Sequence, residues 1–296
     1  MLAKSFSPKY YVESPTHMAG VLRENNIPFE VIGSRNLKSY QGKVLVLSHV
    51  ARILPEEMDD IEAYVQRGGN LYVSGPVADE RLQKLLGIRV TGQTEHTVTY
   101  ISPTKAGEAY LTDFSRLVPL NIEMYQVTAE VTAPDCTVLG TLTLPYTLQN
   151  TRDFSAIHSN PPGVYTDSPA IVTRKLGEST LLWTAAPIEL MRPYQSHIAV
   201  RNLMQMLIGN PAFTSDAPKY VEILAWTKDQ HTYMAAINQQ ETPPVVPVYD
   251  VTIEWPEPGK TAKLVETGEM LKTETVDGKT RIYLPKIAVF SIFEIL

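Results

Sequence analysis

The sequence predicts a doubly wound α/β domain followed by an all-β sandwich of immunoglobulin-like kind. Apolar runs and amphipathic helices alternate in the first half of the chain, and a Gly-Gly pair ends the clearest helix. The last part instead consists of short alternating runs separated by Pro and Gly. A chain of 296 residues is long enough for about two domains. We expect residues 1–215 to form the α/β domain and residues 216–296 to form the sandwich.

The first predicted elements follow from capping residues and periodicity. Ser14 is a plausible N-cap with Pro15 at the first helical position, and apolar residues then recur on one helix face. Residues 43–48 have a continuous apolar centre, as expected of a strand that is covered on both faces of a parallel sheet. These elements predict a helix and then a buried strand.

The clearest helix begins at Leu54 and Pro55. Acidic residues in its first turn lie near the positive end of the helix dipole, and an apolar stripe follows. It ends at Gly68 and Gly69, because glycine readily adopts the left-handed conformation that ends helices. A strand at residues 70–74 and another short helix follow.

The pattern changes to β-rich and irregular after this helix. We expect an insertion at about residues 88–150 within the α/β domain, because no further strand–helix unit is apparent there. The domain resumes with a hairpin around Gly177 and a helix at residues 196–208. Pro and Gly residues near position 215 then provide a domain boundary.

Composition excludes several classes of protein. The net charge of −6 without a Lys/Arg cluster disfavours a nucleic-acid partner. No apolar run approaches the ~20 residues that a membrane span needs, and residues 1–11 lack the core of a secretory signal. The single cysteine, Cys136, excludes an internal disulfide and a cysteine-based metal cluster. We expect a soluble protein, with a cytoplasmic location favoured.

The motifs of the sequence predict no catalytic residue, no cofactor-binding residue and no metal ligand. The strand-to-helix turn at residues 74–76 lacks the cysteine that a glutamine amidotransferase needs. A glycosidase needs two carboxyl groups that face each other across a cleft. The adjacent acids at residues 56–57, 59–60 and 79–80 are instead typical of helix starts and solvated faces. The six histidines show no metal-binding spacing. The Gly-Gly pair comes after a helix, whereas the glycines of a dinucleotide-binding site come before one.

Two places remain as candidates for a ligand or a partner. His49 follows a buried strand at the carboxyl edge of the predicted sheet, where α/β proteins bind ligands. The second candidate is a stiff polar loop made of His158, Ser159, Asn160, Pro161, Pro162 and Gly163. It could project toward a neighbouring catalytic domain or subunit, or it could be a plain turn. The other interpretation of His49, which the pattern favours, is a loop residue that hydrogen-bonds to backbone.

Several short segments of the sequence resemble those of one protein family. Residues 54–57, 64–65 and 68–71 resemble the trimerisation domain of family 42 β-galactosidases, and residues 157–163 and 181–189 resemble the end of that domain in related glycosyl hydrolases. The resemblance implies a flavodoxin-like fold akin to class I glutamine amidotransferases, without their catalytic machinery. The all-β tail is similar to the β-sandwich that often ends such enzymes.

The resemblance implies a non-catalytic accessory or oligomerisation region of a glycoside hydrolase. The implied partners are a catalytic TIM barrel of the same parent protein and further copies of the chain, with carbohydrate as another candidate. Such barrels precede this region, so we expect Met1 to lie inside a longer protein, although a stand-alone remnant is the other interpretation. A carbohydrate-binding module and an enzyme on an amidotransferase-like fold are the alternative functions. Trp226, Tyr249 and Trp255 lie on predicted strands, and we expect them in the core.

Overall fold

The computed structural model of the protein describes residues 9–50, 52–147 and 160–296. Helices are few in this part of the chain. They are α1 (Lys9–Glu24), α2 (Ser34–Leu37), α3 (Pro55–Gln66), α4 (Glu80–Leu86) and α5 (Tyr194–Ile208), with a 3-10 turn at Ile188–Leu190. Strands supply more of the regular structure than helices do, so the protein is mostly β.

The chain forms two compact units. Unit 1 comprises the chain up to Met18 together with Glu30–Gly209. Unit 2 comprises Ala19–Phe29 together with Asn210–Leu296. The domain division after residue 215 stays a prediction, and each unit is described here by itself.

A seven-stranded mixed sheet organises unit 1. The strands of this unit are β1 (Val44–Ser48), β2 (Asn70–Ser74), β3 (Ile88–Gln93), β4 (Thr99–Pro103), β5 (Leu120–Ile122), β6 (Val127–Val131), β7 (Cys136–Pro145), β8 (Pro162–Leu176) and β9 (Ser179–Thr184). The sheet has the order β1-β2-β9-β8-β7-β4-β5, and β3 pairs with β6 in a separate ribbon. Strands β1, β2 and β9 are parallel, and the remaining neighbours are antiparallel. The parallel α/β pattern therefore extends over three strands only, and the flavodoxin-like assignment stays a prediction.

The β-rich stretch that the sequence predicts as an insertion belongs largely to this main sheet. Within residues 88–147, strands β4, β5 and β7 extend the sheet, and β3 and β6 form the ribbon beside it. Ile101 of β4, for example, is in register with Leu142 of β7. Alternation identifies a half-buried strand, but it does not identify the strand with which it pairs. The pairing therefore could not be predicted from this pattern.

Helix α3 confirms the predicted helix with its start and end. Pro55 occupies the first helical turn, where a missing N–H has no cost. The carboxylate of Glu57 accepts a hydrogen bond from the Leu54 backbone N–H at 2.7 Å, and a second from Ser34 Oγ at 2.6 Å. The helix ends before Gly68, which has a left-handed φ of 93°.

Helix α1 differs from the expectation at its start. It begins at Lys9, so Ser14 and Pro15 lie inside the helix and do not cap it. The side chain of Ser14 is fully buried and bonds to residues distant in sequence. A serine before a proline is a common helix start, but here its hydroxyl makes tertiary contacts that the local sequence does not reveal.

Unit 2 is all β apart from its segment of α1. Its strands are β10 (Thr214–Ser215), β11 (Val221–Lys228), β12 (His231–Asn238), β13 (Val248–Trp255), β14 (Ala262–Leu264), β15 (Lys272–Val276), β16 (Lys279–Ile287) and β17 (Phe290–Ile295). They form two four-stranded antiparallel sheets with the orders β10-β13-β16-β15 and β11-β12-β17-β14. One apolar core draws residues from both sheets, among them Met234 and Phe293 of one and Ile253 and Ile282 of the other. The predicted all-β tail is present, and its immunoglobulin-like kind stays a prediction.

The aromatic residues of unit 2 correct one expectation. Trp255 is partly buried and packs against the core, as expected. Trp226 is 39% exposed and Tyr249 is 58% exposed, so neither is a core residue. Both lie on strands with one outward face, and strand alternation alone does not tell which of the two faces is buried.

Candidate functional site

Three parallel strands of unit 1 end in hydroxyl side chains at one edge of the sheet. Ser48 ends β1 and is in register with Ser74 at the end of β2, which in turn is in register with Thr184 of β9. This carboxyl edge is where α/β proteins bind ligands. All three side chains are fully buried. At these residues the edge therefore lies in the protein interior.

The carboxylate of Glu189 accepts the hydrogen bonds of this layer. Glu189 lies in the 3-10 turn after β9 and is also fully buried. Its Oε1 accepts bonds from Ser14 Oγ at 2.8 Å, from Ser74 Oγ at 2.5 Å and from Ser48 Oγ. These donors replace the water that burial removes from a carboxylate. We call Glu189 with its hydroxyl partners Ser14, Ser48, Tyr72 and Ser74 the Glu189 layer.

Tyr72 contributes the remaining hydroxyl of the layer. Its Oη donates to Glu189 Oε2 at 3.3 Å. Burial raises the pKa of Tyr72 well above its ordinary value, and the negative charge of Glu189 raises it further. Tyr72 therefore remains a neutral hydrogen-bond donor at physiological pH.

His49 lies beside this layer, at the edge where the sequence places it. Its backbone has a left-handed φ of 49°, and its N–H donates to the Ser74 carbonyl at 3.1 Å. The imidazole lies so close to Gly75 that a Cβ there would be 3.0 Å from His49 Cδ2. Burial lowers the pKa of His49, so the ring is neutral at pH 7. A ligand role for His49 stays a prediction.

The turn after β2 is the strand-to-helix turn at residues 74–76, where the sequence lacks the cysteine that an amidotransferase needs. Gly75 has a φ of 81°, and its N–H donates to the Thr184 carbonyl at 2.8 Å. Trp183 Nε1 donates to the Gly75 carbonyl at 3.0 Å. The neighbouring Ser74 hydroxyl is buried and donates to Glu189, so it faces the interior and not a substrate. The hydrogen bonds of this turn therefore hold the ends of β2 and β9 together.

Cys136 lies at the start of β7, in a different part of unit 1. Its Sγ contacts the carbonyls of Leu86 and Gly87, each at 3.6 Å. Burial is the largest cause of its raised pKa, which keeps the thiol protonated. A nucleophilic cysteine needs a lowered pKa, so the environment of Cys136 has the opposite effect.

The second predicted candidate, residues 158–163, is described from Asn160 onward, and His158 lies outside the described residues. Asn160 Nδ2 donates to the Thr147 carbonyl at 2.6 Å, and Asn160 Oδ1 accepts from the Thr147 N–H at 3.1 Å. The Pro161 carbonyl accepts from the Tyr146 N–H at 2.7 Å. Pro162 and Gly163 already belong to β8.

These contacts join the described part of the loop to the end of β7. Strands β2 and β9 lie between β1 and β8 in the sheet, so the structure does not bring His49 and Asn160 together. Three strand spacings separate β1 from β8, about 14 Å. A partner or ligand role for this loop also stays a prediction.

Three of the paired acids of the sequence have structural contacts in unit 1. Glu57 caps α3, as described above. Asp79 Oδ1 accepts the Leu82 backbone N–H at 2.9 Å and caps α4. Asp59 forms an ion pair with Arg81 at 2.7 Å. Within the described residues, no group of three or more His, Cys, Asp or Glu side chains is placed to hold a metal ion.

Two features of unit 1 are absent from the sequence interpretation. One is the Glu189 layer, for which a signal exists, since serines end two successive apolar strands of a parallel sheet. The other is a groove of about 830 Å³ beside β6, lined in part by His96 and Ser168. No spacing pattern marks these residues, because they meet only through tertiary structure.

The fold is similar to solved structures of glycosidases. α-L-Fucosidase isoenzyme 2 from Paenibacillus thiaminolyticus matches with a TM-score of 0.76 at 16% identity, over 97% of this chain and 45% of that chain. A catalytic mutant of Gan42B, a GH42 β-galactosidase from G. stearothermophilus, matches with a TM-score of 0.64 at 16% identity, over 99% and 37%. The β-galactosidase from Bacillus circulans sp. alkalophilus gives 0.64 at 15% identity, over 98% and 38%. This is a glycoside hydrolase-related fold.

Identities this low establish the fold alone, and the chain spans less than half the length of these enzymes. A scan against protein-family models finds no match, and a search of curated proteins finds no relative. The predicted relation to glycoside hydrolases is confirmed at the level of the fold, whereas the trimerisation-like and amidotransferase-like assignments stay predictions. Among the described residues, no helix is both long and apolar enough to cross a bilayer.

Proposed function

We propose that this chain is a non-catalytic accessory region of a glycoside hydrolase. In this role it supports subunit association and a catalytic TIM barrel that lies outside this chain. The observation that carries the proposal is the fold likeness, which covers 97% to 99% of this chain but 37% to 45% of each enzyme. The uncovered length of those enzymes leaves room for a separate catalytic domain.

The two buried carboxylates of the described residues have structural partners, so neither is available as a catalytic group. A glycosidase uses two carboxyl groups that face each other across a cleft, about 5 to 10 Å apart. The buried carboxylates of the described residues are Glu57 and Glu189. Glu57 caps a helix, and Glu189 accepts hydroxyl groups from strand ends. Both are therefore engaged in contacts that stabilise the fold.

The catalytic part of the proposal is tested by turnover. The purified chain is incubated with 4-nitrophenyl β-galactoside and 4-nitrophenyl α-L-fucoside, with a complete β-galactosidase as the positive control. We expect no release of nitrophenol above the buffer rate. Turnover that co-elutes with the chain through two different purification steps would refute a non-catalytic role.

The association part is tested by mass. The chain has a mass of 33.0 kDa, so light scattering of a homo-oligomer should give a multiple of that value. We expect a mass above that of one chain at micromolar concentration. A single-chain mass across the whole accessible concentration range would contradict a role in subunit association.

A second candidate function is carbohydrate binding by unit 2, and one observation favours it. Trp226 stacks on Tyr233 across β11 and β12, with ring centroids 5.9 Å apart and planes inclined at 23°. Trp226 is 39% exposed and its neighbour Leu224 is 41% exposed on the same face of β11. An exposed aromatic face is apolar and electron-rich, which suits the C–H face of a sugar ring. Saccharide binding that Trp226→Ala abolishes would support this candidate. Binding that this substitution leaves unchanged would exclude the Trp226–Tyr233 pair as the sugar-binding surface.

A further inference from the structure

The groove in unit 1 lies between the β3–β6 ribbon and the main sheet. Its volume is about 830 Å³, which is within the range of small-molecule sites. One wall carries residues of the ribbon and the segment after β3, and the other carries residues of β7 and β8. Every residue that lines it belongs to unit 1.

Two buried side-chain polar atoms, in residues that line the groove, have no hydrogen-bond partner among the described residues. They are His96 Nδ1 and Ser168 Oγ. The whole His96 side chain is nearly enclosed, since the residue is 7% exposed. Buried polar atoms in folded proteins almost always have a partner, because leaving one unpaired costs free energy. Both atoms are closed to solvent, so a molecule in the groove would give them a partner only after the side chains that cover them move.

The charges of the lining narrow the class of that molecule. None of the described residues that line the groove is Lys or Arg, so the groove offers no cation for a phosphate or carboxylate ligand. Its carboxylates are Glu95, Glu130 and Asp167, and Glu130 is already paired with Arg89. Glu95 and Asp167 are exposed at the rim and can accept hydrogen bonds from a ligand.

The remaining lining is partly apolar. Val138, Leu142, Leu144 and Pro169 supply hydrocarbon surface from β7 and β8. Thr128 and Thr166 add hydroxyl groups beside it, and Thr128 Oγ1 pairs with Thr91 Oγ1 at 3.0 Å. Acceptor-rich edges beside an apolar floor match a ligand that has many O–H donors and also a C–H face.

We propose that this groove binds a neutral saccharide unit. The ligand hydroxyls donate to the carboxylates of Glu95 and Asp167. Further hydroxyls pair with His96 Nδ1 and Ser168 Oγ once the side chains that cover these two atoms have moved. The C–H face of the ring packs on Leu142 and its apolar neighbours. This site goes beyond the accessory role proposed above, and it is separate from the Trp226–Tyr233 pair of unit 2.

The full chain is titrated by calorimetry with D-galactose, L-fucose and D-glucose, and with putrescine as a cationic probe. The variants are Ser168→Ala and the double variant Glu95→Gln/Asp167→Asn. Glu178→Gln is the matched control, since it neutralises an exposed carboxylate of unit 1 outside the groove lining. Trp226→Ala is the control for sugar binding at the Trp226–Tyr233 pair of unit 2.

We expect at least one sugar to bind with a saturating isotherm and both groove variants to weaken it by about tenfold or more. The Glu178→Gln and Trp226→Ala proteins should bind as the parent protein does. Ser168→Ala removes a hydroxyl without a partner, so its melting temperature should not fall. A loss of binding with unchanged stability therefore separates a ligand contact from a structural one.

Three outcomes would overturn the proposal: no sugar saturates, the groove variants bind as tightly as the parent protein, or putrescine binds where the sugars do not. Each of these leaves the accessory role untouched, because that role is judged by turnover and by mass. Catalytic turnover by the chain would in turn refute the accessory role without deciding what the groove binds.

Discussion

The Glu189 layer of unit 1 and the core of unit 2 stabilise their surroundings in different ways. The layer holds one carboxylate with three serine hydroxyls and a tyrosine, all fully buried. The core of unit 2 is built from apolar side chains such as Met234, Ile282 and Phe293. Directed hydrogen bonds tolerate few substitutions, whereas an apolar core tolerates changes that conserve volume.

The position of the layer explains its polarity. The carboxyl edge of parallel strands binds ligands in many α/β proteins, because loops and strand ends converge there. In this chain the hydroxyls of Ser48 and Ser74 donate to Glu189, a residue of the same unit. The hydroxyl groups at this edge therefore have their acceptor within unit 1 itself.

The largest expected effect lies in the core of unit 2. Phe293→Ala removes a fully buried ring and should destabilise unit 2 by about 3 to 5 kcal/mol, through lost burial and the cavity left behind. Hydrogen exchange measured by mass spectrometry on β12 and β17 peptides checks this prediction. Phe290→Ala on the same strand is the matched control, because Phe290 is 53% exposed and its loss should change stability by about 0.5 kcal/mol or less. Equal effects of the two substitutions would contradict the described core.

A substitution in the Glu189 layer should have the next largest effect. Glu189→Gln keeps the shape but turns an amide NH₂ toward hydroxyl donors, so at least one buried donor loses its acceptor. We expect a loss of about 1 to 3 kcal/mol, measured as faster hydrogen exchange of β1 and β2 peptides in unit 1. Glu178→Gln serves again as the exposed control. Unchanged exchange in β1 and β2 would show that the carboxylate is not the acceptor of the layer.

Two serines of unit 1 allow a sharper comparison. Ser74 Oγ donates to Glu189 at 2.5 Å, whereas Ser168 Oγ has no partner among the described residues. Ser74→Ala should therefore cost about 1 kcal/mol or more, and Ser168→Ala should cost nothing measurable. Urea unfolding followed by circular dichroism compares the two variants. The reverse order of stabilities would contradict the hydrogen-bond assignments.

The smallest expected effect is a pH dependence from His49. Burial lowers the pKa of His49 in the folded state, and in the unfolded chain this histidine titrates near its ordinary value of about 6.5. Below that pH the unfolded state binds more protons, so the contribution of His49 is complete above about pH 6.5 and is lost as the pH falls. His49→Asn, which accepts a left-handed backbone, should reduce the fall in stability between about pH 7 and pH 5. Urea unfolding at several pH values checks this, and identical slopes for the two proteins would refute it.

The sequence predicts the elements that local rules determine. The start and end of α3 follow from Pro55 and Gly68, and the buried character of β1 follows from its apolar run. The sheet to which a strand belongs depends on contacts far apart in sequence, so the pairing of β4 with β7 is not visible in either segment. The start of α1 is missed for a related reason, since Ser14 has its partners in β1 and in the turn after β9.

The candidate site likewise has parts that the local sequence predicts and parts that depend on distant residues. The location of His49 follows from its position after an apolar strand, and the structure places it at that edge. The Glu189 layer joins side chains that are up to 175 residues apart, as between Ser14 and Glu189, so neighbouring residues do not reveal it. The groove around His96 and Ser168 depends on how the ribbon lies against β8, which no periodicity encodes.

The surroundings of Cys136 have a practical consequence. The protein has one cysteine, and its Sγ lies so close to Gly87 that a Cβ on that glycine would be only 2.5 Å away. A maleimide or another alkylating reagent needs the thiolate, and burial disfavours the thiolate by raising the pKa of this partly buried thiol. The rate of alkylation should therefore rise when this corner of unit 1 opens and the thiol gains solvent. One fluorescent label at Cys136 would make the native chain a sensor of its own local unfolding.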